Sequence, residues 1–180
     1  MLSSAPKDAV LERILKDPKR ADPQQFAQDS SITGRVVGQP DGDGANIQLP
    51  NGKQVAARLA YIDTPETEKI AQKKPGQPFG KEASRYLESL MKDKEVTAKV
   101  VEPASKKNYW RPVVELYADG KNLNMAMLEA GFAWPQKRYL PLEYNQAAVK
   151  GYGAGNIFSV FDPETPGAFR ARMPSNNPDE

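Results

Sequence analysis

Five short segments of the chain alternate apolar and polar residues, and this spacing predicts β-strands. The segments are residues 32–37, 45–49, 54–62, 95–101 and 112–117. Asn51-Gly52 lies between the second and third segments and is a strong signal for a tight hairpin turn. The pattern therefore predicts a mainly β architecture.

Helical spacing appears in three places between and after the strands. Ala83, Leu87 and Leu90 recur at helical intervals over residues 80–91, between the third and fourth strands. Two further helices are predicted over 123–130 and 140–150. Five strands with a helix after the third are the layout of a small Greek-key barrel of the OB type, which often binds oligonucleotides. We therefore expect an α+β fold, mainly β, made of a five-stranded OB-fold barrel and three α-helices.

The two ends of the chain differ from its middle. Residues 1–31 are polar, with one short helical pattern over 9–15, and residues 162–180 form a proline-rich tail that Phe169 could anchor. We therefore expect one domain over 32–161. No run approaches the roughly 18 apolar residues of a membrane span, and the first residues lack the apolar core of a signal peptide. The sequence predicts a soluble monomer without membrane contact.

Composition limits the chemistry open to this chain. It contains no cysteine and no histidine, which excludes Cys/His zinc sites, thiol nucleophiles, Ser-His relays and imidazole bases. Any base must be a carboxylate, lysine, tyrosine or bound hydroxide, and any metal a hard ion held by oxygen. The net charge is only +2, but residues 69–107 hold ten Lys/Arg against five Asp/Glu. This excess favours a polyanionic partner, although most charge runs are solvated faces.

The stretch over residues 58–67, RLAYIDTPET, places carboxylates and an arginine around the end of one apolar strand. Pro65 has no N–H to give to a strand ladder and disfavours helical geometry at Thr64, so the backbone must turn where Asp63 and Glu66 stand. Such a turn is a candidate site for a hard cation. The alternative is a helix start, in which Thr64 caps the helix and the helix dipole favours Glu66.

Three stretches follow one another as in a known family. They are RLAYIDTPET, then FGKEAS at the start of the first predicted helix, then NYWRPVVELYADGKNLNMAMLEAGFA. In order and approximate spacing the chain resembles the staphylococcal nuclease (thermonuclease) family, from about residue 34 to residue 159. The resemblance implies a calcium-dependent phosphodiesterase on an OB barrel with three helices. Its substrates would be DNA and RNA, single strands preferred, and its products would carry 3'-phosphate ends.

The resemblance also implies a role for individual residues. Arg58 and Arg111 match arginines that stabilise the transition state, and Glu66 matches the general base. Asp63 matches a ligand of Ca²⁺, and Thr64 matches a residue that gives its backbone carbonyl to the ion.

Candidate substrate contacts lie near these residues. Tyr109 matches an aromatic residue beside the bound nucleotide and Tyr139 approximately matches another, yet both could equally pack on the barrel. Lys73 and Lys74 lie in a loop with Gly and Pro, where they could guide a nucleic-acid backbone or simply keep the loop soluble. Trp110 stands where the family usually has glycine.

The other calcium aspartate of the family lies in a turn before the second strand, and this turn is the main departure. Here it reads PDGDGA over residues 40–45. Matching DGD to DGD makes Asp43 the ligand with two residues inserted after it, whereas counting back from Ile47 without a gap puts Ala45 there. We prefer Asp43, with Asp41 in reserve, because an insertion at a turn is tolerated better than loss of a cation ligand.

These residue types suit phosphodiester hydrolysis independently of the family. Two arginines can hold the charged equatorial oxygens of the phosphate. A divalent ion on two aspartates would polarise the phosphate and acidify bound water, and Glu66 could accept the proton. The alternative is a catalytically degenerate OB module that binds nucleic acid or protein, which would lack one acidic or arginine position. A cysteine-free calcium enzyme of this kind suits an extracytoplasmic or secreted setting.

Overall fold

The computed structural model of the chain describes residues 8–38, 41–70, 74–136, 140–160 and 162–172. Burial alternates along the long strands, so each of them turns one face into a shared core. The strands are β1 (Ser31–Gly38), β2 (Gly44–Gln48), β3 (Gln54–Leu59), β4 (Ile62–Asp63), β5 (Glu95–Glu102), β6 (Val113–Ala118), β7 (Lys121–Asn122) and β8 (Trp134–Pro135).

Five of these strands close into a barrel. β1 pairs antiparallel with both β2 and β5, β2 pairs with β3, and β5 pairs with β6. The barrel closes where β3 runs parallel to β6, with Arg58 opposite Val113 and Leu59 opposite Val114. This strand order confirms the predicted five-stranded OB barrel.

The single strand predicted over residues 54–62 is wrong in one respect, because the structure breaks it in two. Tyr61 adopts the left-handed backbone region, with φ of 67°, which a regular strand does not contain. The chain then leaves the barrel wall, and Ile62 and Asp63 pair with β8 in a separate two-stranded sheet. The break therefore moves Asp63 out of the barrel wall.

The helices are α1 (Ala9–Lys16), α2 (Gly80–Met91), α3 (Leu123–Glu129), α4 (Leu142–Gly153) and α5 (Pro166–Arg172). The helix predicted over 140–150 continues to Gly153. Gly151 lies inside the helix, where it packs against α3, and does not end it. A Cβ at Gly151 would lie 1.9 Å from the carbonyl oxygen of Leu128, so the glycine lets α3 and α4 approach closely. Within the described residues, no helix combines the length and apolarity needed to cross a bilayer.

A buried amide ties α3 to the barrel. Asn124 is fully buried and accepts a hydrogen bond from the N–H of Leu116 at 2.9 Å. It donates to the carbonyl oxygens of Ala60 at 3.0 Å and Val114 at 2.9 Å. Because a buried polar group left unpaired costs about 1–3 kcal/mol, these three bonds hold α3 firmly beside the point where β3 ends.

Ordered segments lie on both sides of the predicted domain. Before β1, the N–H of Ala21 donates to the carbonyl of Gln54 at 2.9 Å, which extends the edge of β3. After α4, the stretch expected to be a polar tail contains α5, in which Pro166 and Phe169 are buried. A packed helix therefore lies outside the domain boundary drawn at residue 161.

Candidate active site

Two buried carboxylates share one arginine where the barrel closes. Arg58 lies near the end of β3, Asp43 directly precedes β2, and Asp63 ends β4. The Nη2 atom of Arg58 lies 3.0 Å from Oδ2 of Asp43 and 3.2 Å from Oδ1 of Asp63. The two aspartates are only 7% and 8% exposed. The guanidinium therefore holds together two negative charges that would otherwise repel each other.

The DGDG turn places Asp43, not Ala45, in this cluster. The carbonyl of Asp43 accepts a hydrogen bond from the N–H of Leu59 at 2.8 Å, which anchors the turn to the end of β3. Ala45 lies in β2 and packs in the hydrophobic core. Burial raises the pKa of Asp43 to about 6, and the charge of Arg58 only partly opposes this rise. A cation beside Asp43 would favour its charged form.

Asp41, the reserve ligand, has different partners. Its carboxylate accepts a hydrogen bond from the hydroxyl of Thr67 and forms an ion pair with Lys69 at 3.4 Å. Both partners belong to the loop that follows Glu66. Asp41 therefore links the DGDG turn to this loop, whereas Asp43 faces Arg58.

Glu66 stands on a loop that is fixed from two sides. The side-chain oxygen of Gln77 accepts a hydrogen bond from the N–H of Glu66 at 3.0 Å, and the N–H of Gln77 donates to the carbonyl of Glu66 at 2.9 Å. A Cβ on Gly80 would lie 2.3 Å from the same carbonyl oxygen, so only glycine fits there. The backbone of Glu66 is thus held in place while its side chain lines a cleft.

Arg111 reaches the cleft from a strained turn before β6. Tyr109 and Trp110 both adopt the left-handed backbone region, with φ of 54° and 57°. Trp110, which stands where the resemblance leads us to expect glycine, therefore keeps a conformation that glycine adopts easily. Left-handed residues other than glycine store strain and cluster at functional sites.

Among the described residues, the guanidinium of Arg111 has one buried donor without a partner and a second arginine nearby. Burial and then the neighbouring charge of Arg58 lower the pKa of Arg111. The buried Nε of Arg111 finds no hydrogen-bond partner among the described residues. Two neighbouring arginines with an unused donor form a suitable place for an anion.

The cluster opens into a cleft of about 1070 Å³, and among the described residues eight basic and five acidic side chains line it. Tyr109 and Lys74 both line this cleft. Tyr109 is 43% exposed, and the guanidinium carbon of Arg111 lies 5.8 Å from the centre of its ring. The predicted contacts Lys73 and Tyr139 lie outside the residues that the structure describes.

Arg170 in α5 is the cluster residue that sequence reasoning misses. Its Nη2 lies 2.8 Å from Oδ2 of Asp63, and its Nη1 lies 2.6 Å from Oε1 of Glu66. It follows Asp63 by 107 residues, in a stretch whose composition is typical of a tail. The helical spacing of Pro166 and Phe169 is the signal that could have identified α5, but it does not indicate where the helix docks.

The oxygen atoms at this cluster fit a hard divalent cation such as Ca²⁺. Asp43 and Asp63 offer carboxylates, and the buried hydroxyl of Thr64 finds no hydrogen-bond partner in the described part of the chain. Over the same residues, no group of three or more acidic side chains could by itself hold a metal ion. An ion here would also need backbone and water oxygens. Residues 64–68 are not helical, so the alternative in which Thr64 caps a helix is wrong.

Comparison with known proteins gives a consistent picture. The model of the family described as staphylococcal nuclease homologue matches residues 56–151. A protein named uncharacterized endonuclease, from Escherichia coli O157:H7, is 32% identical over 149 residues, which cover 79% of this chain and 88% of that protein. Endonuclease Htp3 of Saprolegnia parasitica is 28% identical over 172 residues, which cover 82% of this chain and 79% of that protein. Endonuclease YhcR of Bacillus subtilis is 28% identical over 92% of this chain, but over only 14% of its own length.

The shared guanidinium can be tested by a double-mutant cycle. Arg58→Ala should lower the free energy of unfolding by about 3 kcal/mol at pH 7 in chelator, because it leaves the buried Asp43 without its ion-pair partner and Asp63 with Arg170 alone. In an Asp43→Asn background the same change should cost clearly less, since one of the two charges is gone. Urea denaturation of the four proteins measures this coupling. An equal loss in both backgrounds would contradict it.

Proposed function

We propose, since this chain belongs to the staphylococcal nuclease homologue family, that it hydrolyses phosphodiester bonds of DNA and RNA with Ca²⁺ as its cofactor. By class the chain is a nuclease of this family. The calcium requirement, the preference for single strands and the 3'-phosphate products are the finer parts of the proposal. The observation that carries it is the meeting of two arginines (Arg58 and Arg111) with Asp43 and Glu66 at one cleft, where Asp63 is bonded to Arg58.

The two arginines suit the charge that develops during hydrolysis. As water attacks phosphorus in line, negative charge grows on the equatorial oxygens of the phosphate. Arg111 offers an unused Nε donor, and its neighbour Arg58 brings a second guanidinium to the same place. An anion between them would relieve their mutual repulsion, and forked hydrogen bonds would fix its orientation.

Glu66 is the candidate base. Its side chain lines the cleft and its backbone is fixed by Gln77, so it can receive the proton of an attacking water molecule. The bond from phosphorus to the 5' oxygen then breaks, the 5' oxygen takes up a proton from solvent, and the phosphate stays on the 3' side. When bound by Asp43, Asp63 and Thr64, Ca²⁺ would supply positive charge to the phosphate and make bound water more acidic.

The surroundings of the cluster suit a nucleic-acid strand. Basic side chains predominate along the cleft, which favours a polyanionic backbone over a neutral substrate. Tyr109 is half exposed beside Arg111, where its ring could stack on a base. Stacking of this kind contributes about 1–3 kcal/mol per base and needs an unpaired base. This supports the preference for single strands.

A binding module without catalysis is the second candidate function, and one observation favours it. Arg170 pairs with both Asp63 and Glu66, the carboxylates that a hydrolytic reaction would use. If this pairing were permanent, the basic cleft could still bind nucleic acid but neither carboxylate could act. The two candidates therefore differ in whether a divalent cation produces cleavage.

Digestion of denatured DNA separates the two candidates. The purified chain should cleave it in millimolar Ca²⁺, less well in Mg²⁺ and not at all in chelator. Glu66→Gln keeps the shape of the side chain and removes its basicity, so we expect a loss of at least about a hundredfold in turnover. Equal cleavage by this variant would indicate a contaminating nuclease. DNA binding without cleavage in either cation would identify a binding module.

The assignment of Arg111 to the phosphate has its own test. Arg111→Ala should lower kcat by about a hundredfold or more, by analogy with the loss of one oxyanion donor, while the melting temperature changes little. Arg35→Ala, which removes an exposed arginine of β1, is the matched control and should leave kcat unchanged. Near-normal turnover of Arg111→Ala would refute the assignment.

The choice of Asp43 over Asp41 is also testable. Asp43→Asn should raise the calcium concentration needed for half-maximal cleavage by at least tenfold, because it removes a charged ligand. Asp41→Asn should change this concentration little, since Asp41 is directed toward Lys69. Calcium titrations of the two variants measure the difference, and the reverse ranking would show that Asp41 is the ligand.

A further inference from the structure

We propose that α5 is an internal competitor of the divalent cation, because Arg170 occupies the carboxylate of Asp63, a ligand of the cation, and also that of Glu66, the candidate base. In this account the cation displaces Arg170, and α5 loosens from the cleft when the ion binds. The inference rests on the proposed function, since it concerns access of the cofactor to the same site.

The contacts of Arg170 are those of a guanidinium seated on the site. Its Nη1 and Nη2 atoms contact the two oxygens of Asp63 at 3.2 Å and 2.8 Å, as a fork. Nη1 also contacts Oε1 of Glu66 at 2.6 Å. Arg58 also donates a hydrogen bond to Oδ1 of Asp63 at 3.2 Å. Both oxygens of Asp63 are therefore bonded to guanidinium groups, so an ion that coordinates Asp63 must replace some of these bonds.

The charges of the cluster favour such an exchange. Three guanidinium groups (Arg58, Arg111 and Arg170) meet three carboxylates (Asp43, Asp63 and Glu66), so the charges balance before any ion is present. A divalent cation adds two positive charges to this balanced set. Release of Arg170 removes one positive charge from the site, whereas Arg58 and Arg111 are carried by the barrel and its closing turn.

α5 is attached in a way that permits release. The side chain of Arg170 is 44% exposed, so its departure opens no part of the core. The helix has seven residues and buries only Pro166 and Phe169. Arg172 pairs with Glu164 at 2.8 Å, and the guanidinium of Arg172 lies 5.3 Å from the ring of Phe169. The helix is thus ordered by its own short-range contacts and by a small buried surface.

Besides the ion pair of Arg170 with Glu66, a hydrogen bond from Gln77 couples this segment to the loop of the candidate base. The side-chain nitrogen of Gln77 donates to the carbonyl of Glu164 at 3.0 Å, while its oxygen accepts from the N–H of Glu66. The side-chain amide of Gln77 is therefore hydrogen-bonded both to the segment that precedes α5 and to the loop of Glu66. If α5 leaves, the bond from Gln77 to the carbonyl of Glu164 breaks, but the bond from the N–H of Glu66 to Gln77 remains.

The test uses the full chain and calcium alone, with no nucleic acid. Isothermal titration calorimetry compares the wild type with Arg170→Gln, which keeps polarity and length but loses the charge. We expect Arg170→Gln to bind Ca²⁺ about tenfold more tightly, because the ion no longer displaces a bidentate ion pair. Arg35→Gln removes the same charge from an exposed site on β1 and should leave the affinity unchanged.

Hydrogen exchange supplies a second readout. Calcium should increase amide exchange in residues 162–172 of the wild type and should leave exchange in α2 unchanged. In Arg170→Gln these amides should exchange fast with or without calcium. Equal or weaker calcium binding by Arg170→Gln, with no effect of calcium on α5 of the wild type, would overturn the proposal.

The outcomes also separate this inference from the proposed function. Calcium-dependent cleavage, together with the same calcium affinity in Arg170→Gln as in the wild type, would refute only the proposal that Arg170 competes with the ion. The ion pairs of Arg170 would then have a purely structural role. The absence of calcium binding in both proteins, with no cleavage of denatured DNA, would refute both the cofactor and its competitor.

Discussion

The contact between one guanidinium and two buried carboxylates is the interaction around which this structure is arranged. Arg58 lies between Asp43 and Asp63 and is the guanidinium that contacts both of these buried charges. The same backbone pairing that closes the barrel places Arg58 opposite Val113, two residues from Arg111. Closure of the barrel therefore positions the acidic pair and both arginines together. Burial raises the pKa of Asp43, and the charge of Arg58 opposes this rise, so a positive neighbour favours the charged form of Asp43.

The candidate site is built where regular strands stop. Tyr61 breaks the third strand and carries Asp63 out of the barrel wall, and the turn at Tyr109 and Trp110 delivers Arg111. Each irregular segment is supported by something rigid. Asn124 holds α3 beside the first break, and Gln77 holds the loop of Glu66. The barrel thus supplies a stiff frame, and the candidate catalytic groups stand on short turns that the frame fixes.

Much of this arrangement could be predicted from the sequence, because it depends on local patterns. The strands and α2 follow from period-two and helical spacing, and the RLAYIDTPET motif pointed to Arg58, Asp63 and Glu66. The break at Tyr61 could not be predicted, since a β-favouring residue in an apolar run gives no sign of a left-handed conformation. The end of α4 was missed because the contact of Gly151 with Leu128 is made across helices. Arg170 was missed for the same reason, since tertiary docking alone brings it to Asp63.

Binding of a cation by the buried carboxylate pair, beside Arg58 and Arg111, is best tested by a crystal structure of the chain grown in calcium. We predict an anomalous peak at about 2.3–2.6 Å from oxygens of both Asp43 and Asp63, with Arg170 displaced from Asp63. Arg58 and Arg111 should remain at the cleft, facing the ion. A structure with no peak at this pair, in crystals that hold calcium elsewhere, would show that Asp43 and Asp63 do not form a calcium site.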